Sequence, residues 1–145
     1  MNINQISIFL QNRTGQLAEI CKTLADNDIS IVTLSLADTT DFGIVRMIVD
    51  DHVKAQQVLT QAGHLVKTNP VFAVTVPDRP GGMAEIVTIL SDHGCAIEYS
   101  YAFSFHRGEQ AVLVFRFDDN AKAEKVLADA GYATLSEAQI EDQAK

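Results

Sequence analysis

Asn12-Arg13-Thr14-Gly15 and Asp78-Arg79-Pro80-Gly81 are the residues of this 145-residue chain best suited to hold a small charged molecule. Each places an Asn or Asp three positions before a glycine, and each is followed by apolar residues at helical spacing. Glycine lets the backbone approach a ligand closely. The first N–H groups of a helix, around Gly15–Leu17 and Gly81–Met83, lack intrahelical acceptors and carry partial positive charge. Together these offer a site for a carboxylate, and Asn12 or Asp78 offers an acceptor for an ammonium group. A carboxylate donor set beside an ammonium acceptor is what a free amino acid requires. An ordinary strand-to-helix turn has the same local sequence, and it is the recurrence in two copies that favours binding.

The recurrence extends well past the turns. Asn12–Ile20 returns as Asp78–Ile86, 66 positions on, and Ala55–Gly63 returns as Ala123–Gly131, 68 positions on. The extra residues fit a longer loop around Arg107-Gly108-Glu109. Solenoid repeats run to roughly 20–50 residues, so this period reads as a duplicated small domain, 1–69 and 70–145, the second with a short tail. Such modules are marginal alone and bury a face against a sibling or a second chain.

The elements that position the turns follow from periodicity. Ile6, Ile8 and Leu10 alternate with Gln5, Ser7 and Phe9, a strand with one face better buried. Leu17, Ile20, Cys21 and Leu24 form the stripe of an amphipathic helix, which Asn27-Asp28 ends. Strands follow at about Ile29–Ala37 and Gly43–Val49, joined through Asp38–Asp41. Ala55, Val58, Leu59 and Ala62 mark a second helix stopped by Gly63, and Leu65–Thr68 is a short last strand. The second copy reruns this: Val74 and Val76 in a strand, Pro80 near a helix start, then Met83, Ile86, Val87 and Leu90, with Gly94 closing the helix. Strands near Ile97–Phe105 and Ala111–Phe117 precede a helix carrying Val126 and Leu127, stopped by Gly131. Tyr132–Leu135 is expected as a last strand, and Ser136 with Gln139 as the capping box of a short tail helix. The fold class is therefore α+β: two βαββαβ ferredoxin-like domains with antiparallel sheets. With only Asn69 and Pro70 between the copies, the last strand of the first must end close to the first strand of the second. Either that strand is extended and shared, or the modules pair differently, across a dimer.

Other residues carry weaker chemistry. Asp50-Asp51-His52 has the partner Asp118-Asp119-Asn120 in the second copy, and at strand-to-helix junctions these types read as caps before they read as metal ligands. His64, His93 and His106 stand singly. No spacing marks a nucleophile, and Tyr99, Tyr101, Phe103 and Phe105 share one strand face, better suited to packing than to ligand stacking. Cys21 and Cys95 occupy non-equivalent positions and read as packed, reduced thiols. A net charge of −8 with 11 scattered basic residues argues against nucleic acid. Neither an apolar run of about 18 residues nor a signal peptide is present, so a cytoplasmic protein is expected.

The turns resemble the signature of the ACT domain, a regulatory module that binds amino acids. That signature runs Asn or Asp, a basic residue, Pro, Gly, any residue, an aliphatic and a small one. Asp78-Arg79-Pro80-Gly81-Gly82-Met83-Ala84 follows it, and Asn12-Arg13-Thr14-Gly15-Gln16-Leu17-Ala18 departs only at Thr14. The resemblance covers nearly the whole chain and is nearest to small bacterial tandem ACT proteins, including the segments Leu36–Thr39 and Tyr99–Phe103. In that family the ligand lies between two modules, held by this turn of one and the second strand of the other. By position the resemblance implies ligand contacts from Asn12, Gly15, Gln16 and Leu17, and from Asp78, Gly81, Gly82 and Met83. It adds Ser30, Ser35, Ala96 and Ser100 from the second strands, where Ser30 and Ala96 replace an Asn of some relatives.

The expected protein is a non-enzymatic amino-acid sensor, homodimeric, without cofactor or metal, reporting to a separate enzyme or regulator. A small acylphosphatase-like hydrolase using Arg13 or Arg79 as its anion-binding Arg, and a ligand-free adaptor, are the alternatives. The second strands also differ between copies: Val32 and Leu34 correspond to Glu98 and Ser100, and Thr33 and Ser35 to Tyr99 and Tyr101. The two sites are therefore expected to be unequal.

Overall fold

The structure is a computed structural model and describes residues 2–11, 13–38, 42–104 and 110–143. Its elements in order are β1 (Ile3–Gln11), α1 (Gln16–Asp26), β2 (Ile31–Asp38), β3 (Phe42–Val49), α2 (His52–Gln61) and β4 (Leu65–Pro77). These are followed by α3 (Gly82–Asp92), β5 (Ile97–Ser104), β6 (Gln110–Phe117), α4 (Asn120–Asp129) and α5 (Glu137–Gln143). The chain divides into two compact units at Asn69 and Pro70.

In the first unit the strand order is β2-β3-β1-β4, with β1 and β2 both antiparallel to β3. Ile6, Ile8 and Leu10 of β1 point to the same face as Val45 and Met47 of β3, and Ile20 and Leu24 of α1 and Ala55 and Leu59 of α2 cover them. This is the stripe read from the sequence. The opposite face of β1 is buried too: Gln5 is 0% and Ser7 5% exposed. Phe9 on that face is 36% exposed, so the Ile6, Ile8 and Leu10 face remains the better buried of the two, as expected. Buried polar groups need partners, and Gln5 Nε2 donates to Ser7 Oγ (3.3 Å), which donates to Asn69 Oδ1 of β4 (2.7 Å).

In the second unit the order is β4-β6-β5. Phe72, Val74 and Val76 of β4 and Leu113, Phe115 and Phe117 of β6 form the core with Ile86, Leu90 and Leu127. Phe117 anchors it, its ring 5.5 Å from Phe115 and 6.2 Å from Phe72. Both units carry a β-bulge at the same place, with register shifts between Ile31 and Thr33 and between Ile97 and Tyr99.

Two expectations about connections need correction. Asn69 and Pro70 are no linker: β4 runs unbroken from Leu65 to Pro77, so that strand is extended. Tyr132–Leu135 is no strand. It makes one bridge, Thr134 to Val74, and Leu135 N–H donates to the Ala73 carbonyl at 2.8 Å. The tail helix forms as read: Ser136 N–H donates to Gln139 Oε1 (2.8 Å) and Gln139 N–H to Ser136 Oγ (3.2 Å), a reciprocal capping box. The expected loop at Arg107-Gly108-Glu109, and with it Phe105 and His106, lies outside the described residues, as does Thr39.

Candidate functional site: two glycine turns at uncapped helix ends

Each motif glycine sits at the N-cap of its helix with positive φ: Gly15 at 92° before α1 and Gly81 at 89° before α3. Few L-residues other than glycine adopt that conformation, so the first reason for these glycines is the turn itself. Arg79 N–H donates to the Pro77 carbonyl (3.0 Å) and Gly82 N–H to the Arg79 carbonyl (3.0 Å). With Pro80 and Gly81 in its two central positions, the second bond closes a type II turn. Pro80 therefore stands just before the helix, near its start as read from the sequence.

The four long helices differ in how their first N–H groups are satisfied. At α2 the Asp51 side chain accepts from Lys54 N–H (3.0 Å), and at α4 Asp119 accepts from Lys122 N–H (3.1 Å). Thus one Asp of each acidic pair serves as a cap, as its junction position implied. At α1 and α3 no side chain caps the helix among the described residues. With the Gly82 N–H taken by the Arg79 carbonyl, the remaining first-turn N–H groups of α1 and α3 meet no side-chain acceptor among the described residues.

The two turns nonetheless differ in detail. Gln16 opens α1, and its side-chain Oε1 is buried without a hydrogen-bond partner among the described residues. Gly82 opens α3 and is buried, with a Cβ at that position meeting the Pro77 carbonyl. Leu17 packs against the first core, whereas its counterpart Met83 is 49% exposed beside the second turn. Asp78 is exposed. Asn12 lies outside the described residues.

Behind each turn a charged group is tied down. Arg13 pairs with Glu19 at 3.6 Å, both about half exposed. In the second unit burial first, and then the nearby Glu85 carboxylate, push the Tyr132 phenol up from its ordinary value, with Arg79 opposing. The sequence reading missed Tyr132, because it stands beyond α4 and far from the motif.

The second-strand candidates fall into two pairs. Ser30 and Ala96 lie just before β2 and β5, where their carbonyls accept the N–H groups of Asp50 (3.1 Å) and Asp118 (3.2 Å). Ser30 N–H also donates to Asp50 Oδ1 (3.0 Å). Ser35 is half-buried opposite Arg46, and Ser100 is exposed opposite Phe115. A second missed pair is Arg116 Nε with Glu98 Oε2 at 2.9 Å, across the β5 bulge. Its signal lay in the repeat comparison, where Glu98 takes the place of Val32 and Arg116 that of Ile48.

Comparison with known proteins settles the family, since residues 1–143 match the ACT domain pair. This chain belongs to that family. ACT modules are regulatory, amino-acid-binding domains, and the fold described above is the ACT pair. A solved structure of protein BT0572 from Bacteroides thetaiotaomicron is similar at 33% identity, covering 97% of this chain and 96% of that one, with a TM-score of 0.92. The regulatory subunits of aspartate kinase from Thermus thermophilus and Thermus flavus share the fold. They do so at 15% and 16% identity, with TM-scores of 0.65 and 0.63. The alignments cover 88% of this chain and 92% of the first, and 90% of this chain and 93% of the second. No curated protein matches the chain. No helix among the described residues is long and apolar enough to cross a membrane.

Proposed function

We propose that this ACT pair, with modules 1–69 and 70–145, is a non-enzymatic sensor of a free amino acid. The observation that carries this reading is the contrast in capping: α2 and α4 are closed by Asp51 and Asp119, whereas α1 and α3 begin at glycines with no side-chain cap among the described residues. The ligand carboxylate accepts from the first N–H groups of α1, or from those of α3 beyond Gly82. Its ammonium is taken by Asn12 and the Gln16 amide oxygen at the first turn, and by Asp78 at the second. The residues Ser30, Ser35, Ala96 and Ser100 are candidates for the facing wall, contributed by the second strand of another ACT module. A homodimer in the cytoplasm that reports occupancy to a separate enzyme or regulator completes the proposal.

The test begins with mass spectrometry of whatever the natively purified protein releases, followed by calorimetry with that amino acid. Asp78→Asn is expected to weaken binding by about 1.5–3 kcal/mol, the range for hydrogen bonds to charged groups. The des-amino analogue should distinguish variant from wild type far less. An equal loss for both compounds would remove Asp78 from the ammonium site.

A further inference from the structure

Three exposed large apolar side chains lie on one face of the first unit's sheet, the face turned away from α1 and α2. Phe42 is 64%, Leu65 62% and Phe9 36% exposed. The register sets them side by side. Phe9 stands opposite Ile44 and Gln11 opposite Phe42, so the two rings are diagonal neighbours. Leu65 alternates with the buried Val66 and shares its face with Lys67, whose Nζ lies 5.8 Å from the centre of the Phe9 ring. Single exposed apolar residues need no explanation, but a contiguous group with a polar rim marks an interaction site.

The fold itself does not ask for this patch. At the equivalent register positions of the second unit, Phe9, Phe42 and Arg46 are matched by Thr75, Gln110 and Val114. The strands pair there without any of the three.

Charge selects the occupant. Lys67 is exposed and Arg46, opposite Ser7 and Ser35 in the next row, is half-buried. None of the described residues on this face is Asp or Glu, although the chain as a whole carries −8. Two copies joined through this face would bring these cations together with no carboxylate between them, whereas an acidic partner is complementary. The other face of the same sheet shows which element fits, since α1 and α2 cover it with Ile20, Leu24 and Leu59. A sheet with helices on both faces is a stable layering.

We propose that this face docks an acidic amphipathic helix of a partner protein. The apolar stripe of that helix packs on Phe9, Phe42, Ile44 and Leu65, and its flanking carboxylates meet Lys67 in the positive field that Arg46 strengthens. Docking here does not depend on what the glycine turns bind.

The probes are two synthetic amphipathic helical peptides with the same leucine stripe, one bearing glutamates and the other lysines on its polar face. Each is titrated into the 15N-labelled full chain. The glutamate peptide is expected to bind saturably and move the amides of Phe9, Gln11, Phe42, Ile44 and Lys67. The lysine peptide should bind at least several-fold more weakly. Lys67→Glu, at an exposed position, should reverse that preference whatever the stability of other variants. The double variant Phe9→Thr, Phe42→Gln carries the second unit's own residues and should lose the glutamate peptide while melting close to wild type. Equal binding of the two peptides, or shifts confined to another surface, would overturn the proposal. So would a wild-type dimer, seen by sedimentation velocity, that the double variant lacks, because the face would then belong to a second copy.

Discussion

Gly82 lies directly against the Pro77 carbonyl, so close that a Cβ on residue 82 would collide with backbone oxygen. The neighbour cannot rotate away as a side chain would, because it ends β4 and accepts the Arg79 N–H. Gly82→Ala should therefore destabilise the protein by about 1–3 kcal/mol, the usual cost of overpacking a tight site. Chemical denaturation checks this. Gln16→Ala at the matching position of α1 should change stability far less, and equal losses would show that the contact at Gly82 is not the cause.

Gly15 and Gly81 pose the opposite case. No heavy atom lies within 4 Å of a Cβ built on either, yet φ is 92° and 89°. Space is available but conformation is not, and forcing an L-residue there costs roughly 1–2 kcal/mol. Alanine is thus no milder a probe than a larger residue. Gly15→Asn and Gly81→Asn should recover part of the stability lost by Gly→Ala, since Asn tolerates positive φ. If Ala and Asn unfold alike by thermal denaturation, the turn strain is not what those glycines relieve.

Much of this architecture could be read from the residues. The amphipathic stripes of α1 and α3 and the capping box of α5 announce themselves locally, through spacing and side-chain type. What could not be read depended on partners distant in sequence. Gln5 and Ser7 look like the wet side of a strand until Asn69 is placed beside Ser7. Glu98 and Arg116 are ordinary surface residues until the bulge sets them together. Gly81 was legible as a turn residue, but the reason for Gly82 lies in the position of the Pro77 oxygen, which no pattern encodes.

The tail helix gives a sharply local prediction. Ser136 and Gln139 cap one another, and Ile140 is 1% exposed. Ser136→Ala should cost about 0.5–2 kcal/mol and appear as faster amide exchange in Glu137–Gln143. Ile140→Ala, which removes buried apolar volume, should lower global stability by about 2–5 kcal/mol. Unchanged exchange in Ser136→Ala would show that water replaces the cap without loss.

Alkaline pH should weaken the second unit. Tyr132 is shifted upward chiefly by burial and then by Glu85, and Cys95 is shifted upward by burial, against the opposing Lys122 charge. A raised folded pKa means that the stabilising contribution is complete below the unfolded value and is lost as pH climbs through the folded one. The loss therefore begins near the ordinary thiol value of 9.0 and the ordinary phenol value of 10.0. Tyr132→Phe should flatten the upper part of the stability–pH curve and Cys95→Ala the lower part. A curve above pH 9 unchanged in both variants would assign the alkaline loss elsewhere.

The two turns should not bind one amino acid equally. The first offers a buried Gln16 oxygen, unpartnered among the described residues, and a neutral Asn12, while the second offers an acidic Asp78 and no side chain at Gly82. The Gly82 N–H is already spent on the Arg79 carbonyl, whereas Leu17 is packed inward where Met83 is half exposed. Contacts of such different kinds set discrimination between ligands, so calorimetry should resolve two steps, or one site per chain. Gln16→Ala should weaken only one step and Asp78→Asn only the other. Two indistinguishable sites, each insensitive to its own substitution, would mean that neither Gln16 nor Asp78 touches the ligand, and that binding rests on the backbone N–H groups of α1 and α3 alone.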